Sequence, residues 1–118
     1  MLTVIEQQIA RISSREHLPA ELEPELVQKY FALSELDILE IHGCRGAVNK
    51  VGFAIQLSCL RWFGFLLPDM TSVPMDVIGA LAQQLNLAET VDLSAYPQSE
   101  KGRTSHTDRI REYLCRSN

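Results

Sequence analysis

Apolar residues recur along this chain at helical spacing, and the two-residue alternation of a half-buried strand is absent throughout. Ile5, Ile9 and Ile12 fall at i, i+4 and i+7, with Gln7, Gln8 and Arg11 on the opposite face. Thr3 followed by Glu6 fits a capping box, so a first helix is predicted over about residues 4–15. Pro24 suits a first helical position, and Leu26, Val27, Tyr30 and Phe31 behind it predict a short second helix. Ser34 with Asp37 three residues on opens a third, which carries Leu36, Ile38, Leu39 and Ile41 and stops near Gly43 or Gly46.

The segment RGAVNKVGFAIQLSCLRWFG, Arg45 to Gly64, is the most apolar part of the chain and predicts a central helix over 47–63. At about 100° per residue, Val48, Val51, Ile55, Cys59, Trp62 and Phe63 fall on one side. Lys50, Ala54, Ser58 and Arg61 fall on the other, a narrow stripe of small residues between two cations that invites close approach. Gly52 in mid-helix costs about 1 kcal/mol against alanine and points to tight backbone packing. The run FLLPD leaves the helix. Pro74 and Asp76 start a fifth helix with Val77, Ile78, Leu81, Ala82 and Leu85 buried, and Asn86 ends it. A shorter helical run is expected from Leu87 to Tyr96, then a loop from Pro97 to Arg103. A last helix over 104–116 is capped by Thr104 or Ser105, with Ile110, Tyr113 and Leu114 as its stripe. The expected fold is all-α: six to seven short helices forming two linked helix-turn-helix-like three-helix units, 1–70 and 71–118.

Composition agrees with a packed domain. In 118 residues, 46% are hydrophobic and 22% charged, which excludes the depleted, lopsided make-up of a disordered chain. No apolar run approaches the ~20 residues that span a bilayer, and Glu6 interrupts the stretch where a signal peptide needs one; a cytoplasmic protein is expected. The net charge of −4 is unevenly spread. Residues 1–40 hold 3 basic and 8 acidic groups, 41–66 hold 3 and none, 67–100 none and 5, and 101–118 hold 5 and 2. With a Debye length of about 8 Å at physiological salt, a ligand beside one basic block feels that block above the distant acids.

The usual enzymatic constellations are missing. His17, His42 and His106 form no HxxxH or HExxH pattern, and Cys44, Cys59 and Cys115 are too irregular for a disulfide framework or a metal knuckle. Cys59 lies on the apolar side of the central helix, the position of a structural thiol. There is no GxSxG elbow and no glycine-rich phosphate loop after a strand. No catalytic residue, metal or cofactor is expected.

A helix-turn-helix reading remains. It needs groups that bond base edges beside cations that neutralise phosphates. Arg45, Asn49 and Lys50 at the start of the central helix meet that need, joined by His42 before it and Arg61 farther along. Lys101, Arg103, Thr104, His106 and Arg109 form a second such set around the start of the last helix, and both lie where the helix dipole favours phosphate. The alternative is a protein-interaction or dimerisation module, suggested by the acidic body and by an FGFLL segment that reads as exposed. Asn49 and Gln56 also fit polar groups bonded inside the protein.

The segment YFALSELDIL from Tyr30 to Leu39, followed by RGxxNKxGFAIQLxxLRxFGxLLPD and then VP before a helix, resembles the N-terminal domain of Tn-three-family replicative transposases. The shared pattern sets Asn49, Gly52, Phe53, Gln56, Leu57, Leu60 and Arg61 in order on one helix. It is strongest from Tyr30 to about Leu87, thins towards Arg103, Thr104, His106, Ile110, Tyr113 and Leu114, and is weak over the first helix. The resemblance implies paired helix-turn-helix units, similar to the DNA-binding region of centromere protein B, that recognise transposon terminal inverted repeats. It implies double-stranded DNA as partner, together with the rest of a transposase polypeptide or a second copy of the chain. The family's transesterification belongs to an Asp-Asp-Glu metal site far along a longer polypeptide, with no counterpart in these residues. The chain departs from the family at Ile41–Arg45, where a run of arginines is usual, so fewer phosphate contacts are implied.

Overall fold

The computed structural model describes residues 2–15, 17–19, 21–88, 91–96 and 100–117, without the side chains of 95, 100–104 and 117. Six α-helices appear among them, α1 (Val4–Arg15), α2 (Pro24–Tyr30), α3 (Glu35–Ile41), α4 (Ala47–Phe63), α5 (Met75–Gln84) and α6 (Glu100–Ser117), with 3₁₀ turns at Met70–Ser72 and Leu93–Ala95. The described residues contain no strand.

Local chemistry accounts for most of these boundaries. Thr3 accepts the Glu6 amide through its hydroxyl, 3.1 Å, at the start of α1. Ser34 and Asp37 form a reciprocal capping box on α3. α4 begins after Gly46, whose φ of 83°, in the left-handed region, suits a residue without a Cβ, and ends at Gly64 in the αL conformation with its amide on the Cys59 carbonyl. Asn86, at φ 57°, takes the left-handed position after α5, one that asparagine tolerates. Each 3₁₀ turn is opened by an aspartate that accepts the amide two residues on, Asp69 from Thr71 and Asp92 from Ser94.

α4 is the axle of the molecule. It packs on α1, α3, α5, α6 and the second 3₁₀ turn, and every residue from Val51 to Cys59 is buried. The stripe of small residues between Lys50 and Arg61 is approached closely by the protein itself: Ala54 and Ser58 are buried, because helices pack on α4 from several sides. One connected core runs from Ile12 through α4 to Ile110 and Tyr113, drawing on both halves of the chain.

The sequence expectations need four corrections. Of the run Leu87 to Tyr96, residues 89 and 90 lie outside the described residues; residues 91–96 form an irregular strap with one 3₁₀ turn and no α-helix, where Val91, Leu93 and Tyr96 are buried by packing rather than by helical periodicity. The expected loop over 97–103 is already α6 from Glu100, so Thr104 and Ser105 do not cap it; residues 97–99 lie outside the described residues. Pro74 sits at the N-cap of α5, one residue before its first turn. FGFLL is not exposed as a whole: Phe63, Phe65 and Leu67 are buried.

Candidate nucleic-acid interface

The relative direction of three helices organises the candidate site. Phe53 of α4 meets His106 of α6, ring centroids 5.6 Å apart, while Leu60 and Arg61 share a cleft with Tyr113 and Leu114. Contacts thus advance in the same sense along α4 and α6, and both helices begin at the same end of the bundle. α3 runs the opposite way: Asp37 meets Arg61 and Tyr113, and Glu40, a turn later, meets Arg109. The turn 42–46 that joins α3 to α4 therefore also lies at that end.

His42 and Arg45 are exposed on this turn, and Asn49 and Lys50 are half-buried in the first turn of α4. Among the described residues neither Arg45 nor Lys50 forms an ion pair. Asn49 donates from Nδ2 to the Arg45 carbonyl at 2.9 Å, bracing the turn that presents Arg45. Lys101, Arg103 and Thr104 belong to the first turns of α6, and their side chains lie outside the described residues.

The other predicted residues are engaged within the protein. Arg61 makes a two-pronged ion pair with Asp37, Nη2 to Oδ1 at 2.7 Å and Nη1 to Oδ2 at 3.0 Å. Asp37 also accepts from the Tyr113 hydroxyl and the Ser34 amide. Burial alone would raise the Asp37 pKa, but the bonds from Arg61, Tyr113 and Ser34 prevail and hold it down at about 2. Arg109 lies against the end of α3, paired with Glu40 at 3.4 Å, donating to the Glu40 carbonyl and with its guanidinium carbon over Phe53 at 5.0 Å from the ring centre. His106 shares a 2.7 Å hydrogen bond with the Tyr96 hydroxyl, and burial followed by the Arg109 charge lowers its pKa. The expectation of two wholly free cationic clusters is thus corrected for Arg61 and Arg109, whose charges face carboxylates brought in by α3.

Gln56 is bonded inside the protein, one of the readings open to it from the sequence, and sequence reasoning missed two further glutamines, Gln84 and Gln8, that likewise tie loop backbone to helices. Gln56 bonds both the amide and the carbonyl of Leu67, at 2.6 and 2.9 Å. Gln84 bonds the Phe31 carbonyl and the Leu33 amide, and Gln8 the Glu21 carbonyl and the Glu23 amide. Their only prior signal was a primary amide at a helical position facing a connector. Cys59 is a core thiol as expected, its pKa pushed up to about 12 by burial. Among the described residues no cluster of His, Cys, Asp and Glu fits a metal, and no helix is long and apolar enough to cross a membrane.

A cleft of about 630 Å³ opens on the side of the bundle over the Asp37–Arg61 pair, bordered by Leu36, Trp62 and Leu114. It lies beside α3 and the later turns of α4 and α6, away from the end where α4 and α6 begin.

The profile of the family described as Domain of unknown function (DUF4158) matches residues 7–117. The chain is 39% identical over 93 residues to the transposase for transposon gamma-delta of Escherichia coli (strain K12), covering 77% of this chain and 9% of that protein. It is 30% identical over 86 residues to the transposase for transposon Tn501 of Pseudomonas aeruginosa, covering 73% of this chain and 9% of the relative. The transposase for transposon Tn1546 of Enterococcus faecium is 33% identical over 82 residues, 70% of this chain and 8% of the relative. The chain thus spans about a tenth of the length of the curated relatives it matches, and no solved structure matches it. With the profile running through nearly all of its residues and transposases as its relatives, the chain belongs to the DUF4158 family, a domain of the Tn-three-family transposase type.

Proposed function

We propose that this domain is a non-catalytic DNA-binding module that recognises transposon ends through the end of the bundle where α4 and α6 both begin. The common direction of α4 and α6 is the observation that carries this reading. It brings the turn with His42 and Arg45, the first turn of α4 with Asn49 and Lys50, and the backbone of the turn bearing Lys101, Arg103 and Thr104 to one side of an otherwise acidic molecule. Two helix N-termini add positive potential there. α3, the turn 42–46 and α4 form a helix–turn–helix pair whose second helix is buried from Val51 to Cys59, so only its tip is open to a major groove. Burial of Phe63, Phe65 and Leu67 weakens the protein-interaction reading as far as it rested on the FGFLL segment. Such a module works where bacterial DNA is, in the cytoplasm.

Fluorescence anisotropy with a duplex from a gamma-delta transposon end, against a scrambled duplex of equal composition, tests the proposal. Tighter binding to the first, weakening steeply with salt, is expected. Equal, very weak and salt-insensitive binding to both dismisses it.

A further inference from the structure

We propose that Arg109 is a positioning residue, which holds the basic turn between α3 and α4 in its presenting shape and does not itself meet DNA phosphate. The proposal rests on the DNA-binding reading above and adds how that interface is built. The guanidinium reaches from α6 to three parts of the α3–turn–α4 corner at once. It donates to the Glu40 carbonyl in the last turn of α3 and pairs with the Glu40 carboxylate at 3.4 Å. Its Nη1 lies 3.5 Å from the Cys44 sulfur inside the turn, and its central carbon lies over the ring of Phe53 of α4. Gly43 makes the seat possible: a Cβ there would overlap Nη2 of Arg109. The next residue but one is Arg45, exposed and in no ion pair among the described residues. A planar, multiply donating group suits this corner, whereas a lysine supplies the charge without the fork.

Binding across a salt series separates the two roles. Arg109→Gln, Arg109→Lys and Gly43→Ala should each weaken binding to the transposon-end duplex by about 3- to 10-fold and narrow its advantage over the scrambled duplex. The salt slope should stay close to the wild-type value, because the guanidinium is held by the Glu40 carbonyl and carboxylate, the latter shared with Arg116 at 3.5 Å, and by Phe53 rather than by a phosphate. Arg45→Ala should lower that slope by about 1. A protein that is simply less stable loses active molecules equally for both duplexes, so the ratio between them would not move. In the DNA-free protein, the Gly43 and Cys44 amides, bonded to the carbonyls of Glu40 and Ile41, should exchange faster in all three variants, with Ile55 in mid-α4 unchanged. Wild-type binding by Arg109→Lys with a slope lower by about 1 in Arg109→Gln would make Arg109 a phosphate ligand and overturn the proposal. Unchanged exchange at Gly43 and Cys44 would overturn it too, even if the wild-type protein ignored DNA, an outcome that by itself dismisses only the DNA-binding reading.

Discussion

Asp37 shows how one carboxylate can decide what its neighbours do. It is 1% exposed, caps α3, and gathers Arg61 from α4 and Tyr113 from α6, so removing Arg61 strands a buried carboxylate, whereas Arg61 itself borders the cleft and keeps part of its side chain in solvent. Arg61→Ala should therefore act as a stability variant, costing about 3–5 kcal/mol in urea unfolding, and not as a DNA-contact variant. The pH dependence has a definite sign. The folded pKa of about 2 lies below the ordinary 3.8, so the stabilisation is complete above about pH 4 and is lost as pH falls towards 2. The shift corresponds to about 2 kcal/mol, and the stability gap between the wild type and Asp37→Asn should shrink by roughly that amount between pH 5 and pH 2. A constant gap would show that the carboxylate charge contributes nothing. Gly52 makes a second residue-scale case, since a Cβ there would overlap the Tyr96 ring. Gly52→Ala gains about 1 kcal/mol of helix propensity but overpacks at a cost of about 1–3 kcal/mol, so a lower melting temperature is expected. Displacing Tyr96 also uncovers His106, whose pKa, now lowered by burial and by Arg109, should rise towards its ordinary value in an NMR titration. Because that pKa is lowered in the folded state, its stabilisation is full above the ordinary histidine value and fades as pH drops through the folded one.

Between elements, fixed amides do much of the joining. Losing the Gln56 side chain removes its two bonds to the backbone of the buried Leu67, at about 0.5–1.5 kcal/mol each. Gln56→Leu should speed hydrogen exchange at the Leu67 amide far more than at amides in mid-α4; equal acceleration at both would mean the clamp fails only through global unfolding. The same level explains what the sequence made legible. The spans of α1 and α4 were readable because both pair an apolar stripe with local start signals: Thr3 at α1, and glycines at both ends of α4. The strap before α6 was not, because Val91, Leu93 and Tyr96 are buried in extended and 3₁₀ backbone with no period. Its signal was the Asp92–Ser94 spacing, which repeats Asp69–Thr71. For the candidate site, the positions of the cations were legible and their engagements were not. Asp37 stands 24 residues from Arg61 and Glu40 stands 69 from Arg109, so those pairs exist only once α3 folds against α4 and α6.

At the scale of the molecule, one helix joins everything. α4 contacts α1, α3, α5 and α6, and the buried cluster is continuous from Ile12 to Tyr113 within a body of 43 × 30 × 28 Å. A group of helices before residue 70 and another after it would each leave a face of α4 uncovered if separated, exposing apolar surface worth about 25 cal/mol per Å². The physics therefore favours a single cooperative transition over stepwise loss of the two halves. Trp62 reports on one side of α4: it is the only tryptophan, half exposed, edge-on to Tyr30 of α2 at 5.4 Å and adjacent to the Asp37–Arg61 pair. Far-UV circular dichroism reports on all six helices. Urea curves from the two probes should superimpose, and Tyr113→Phe, which touches the opposite half through Asp37, should move both midpoints together. If the tryptophan signal instead changed first and a helical plateau persisted, the residues before and after 70 would be separable folding units. The shared direction of α4 and α6 would then be a docking arrangement, which a DNA end could stabilise on binding rather than find already built.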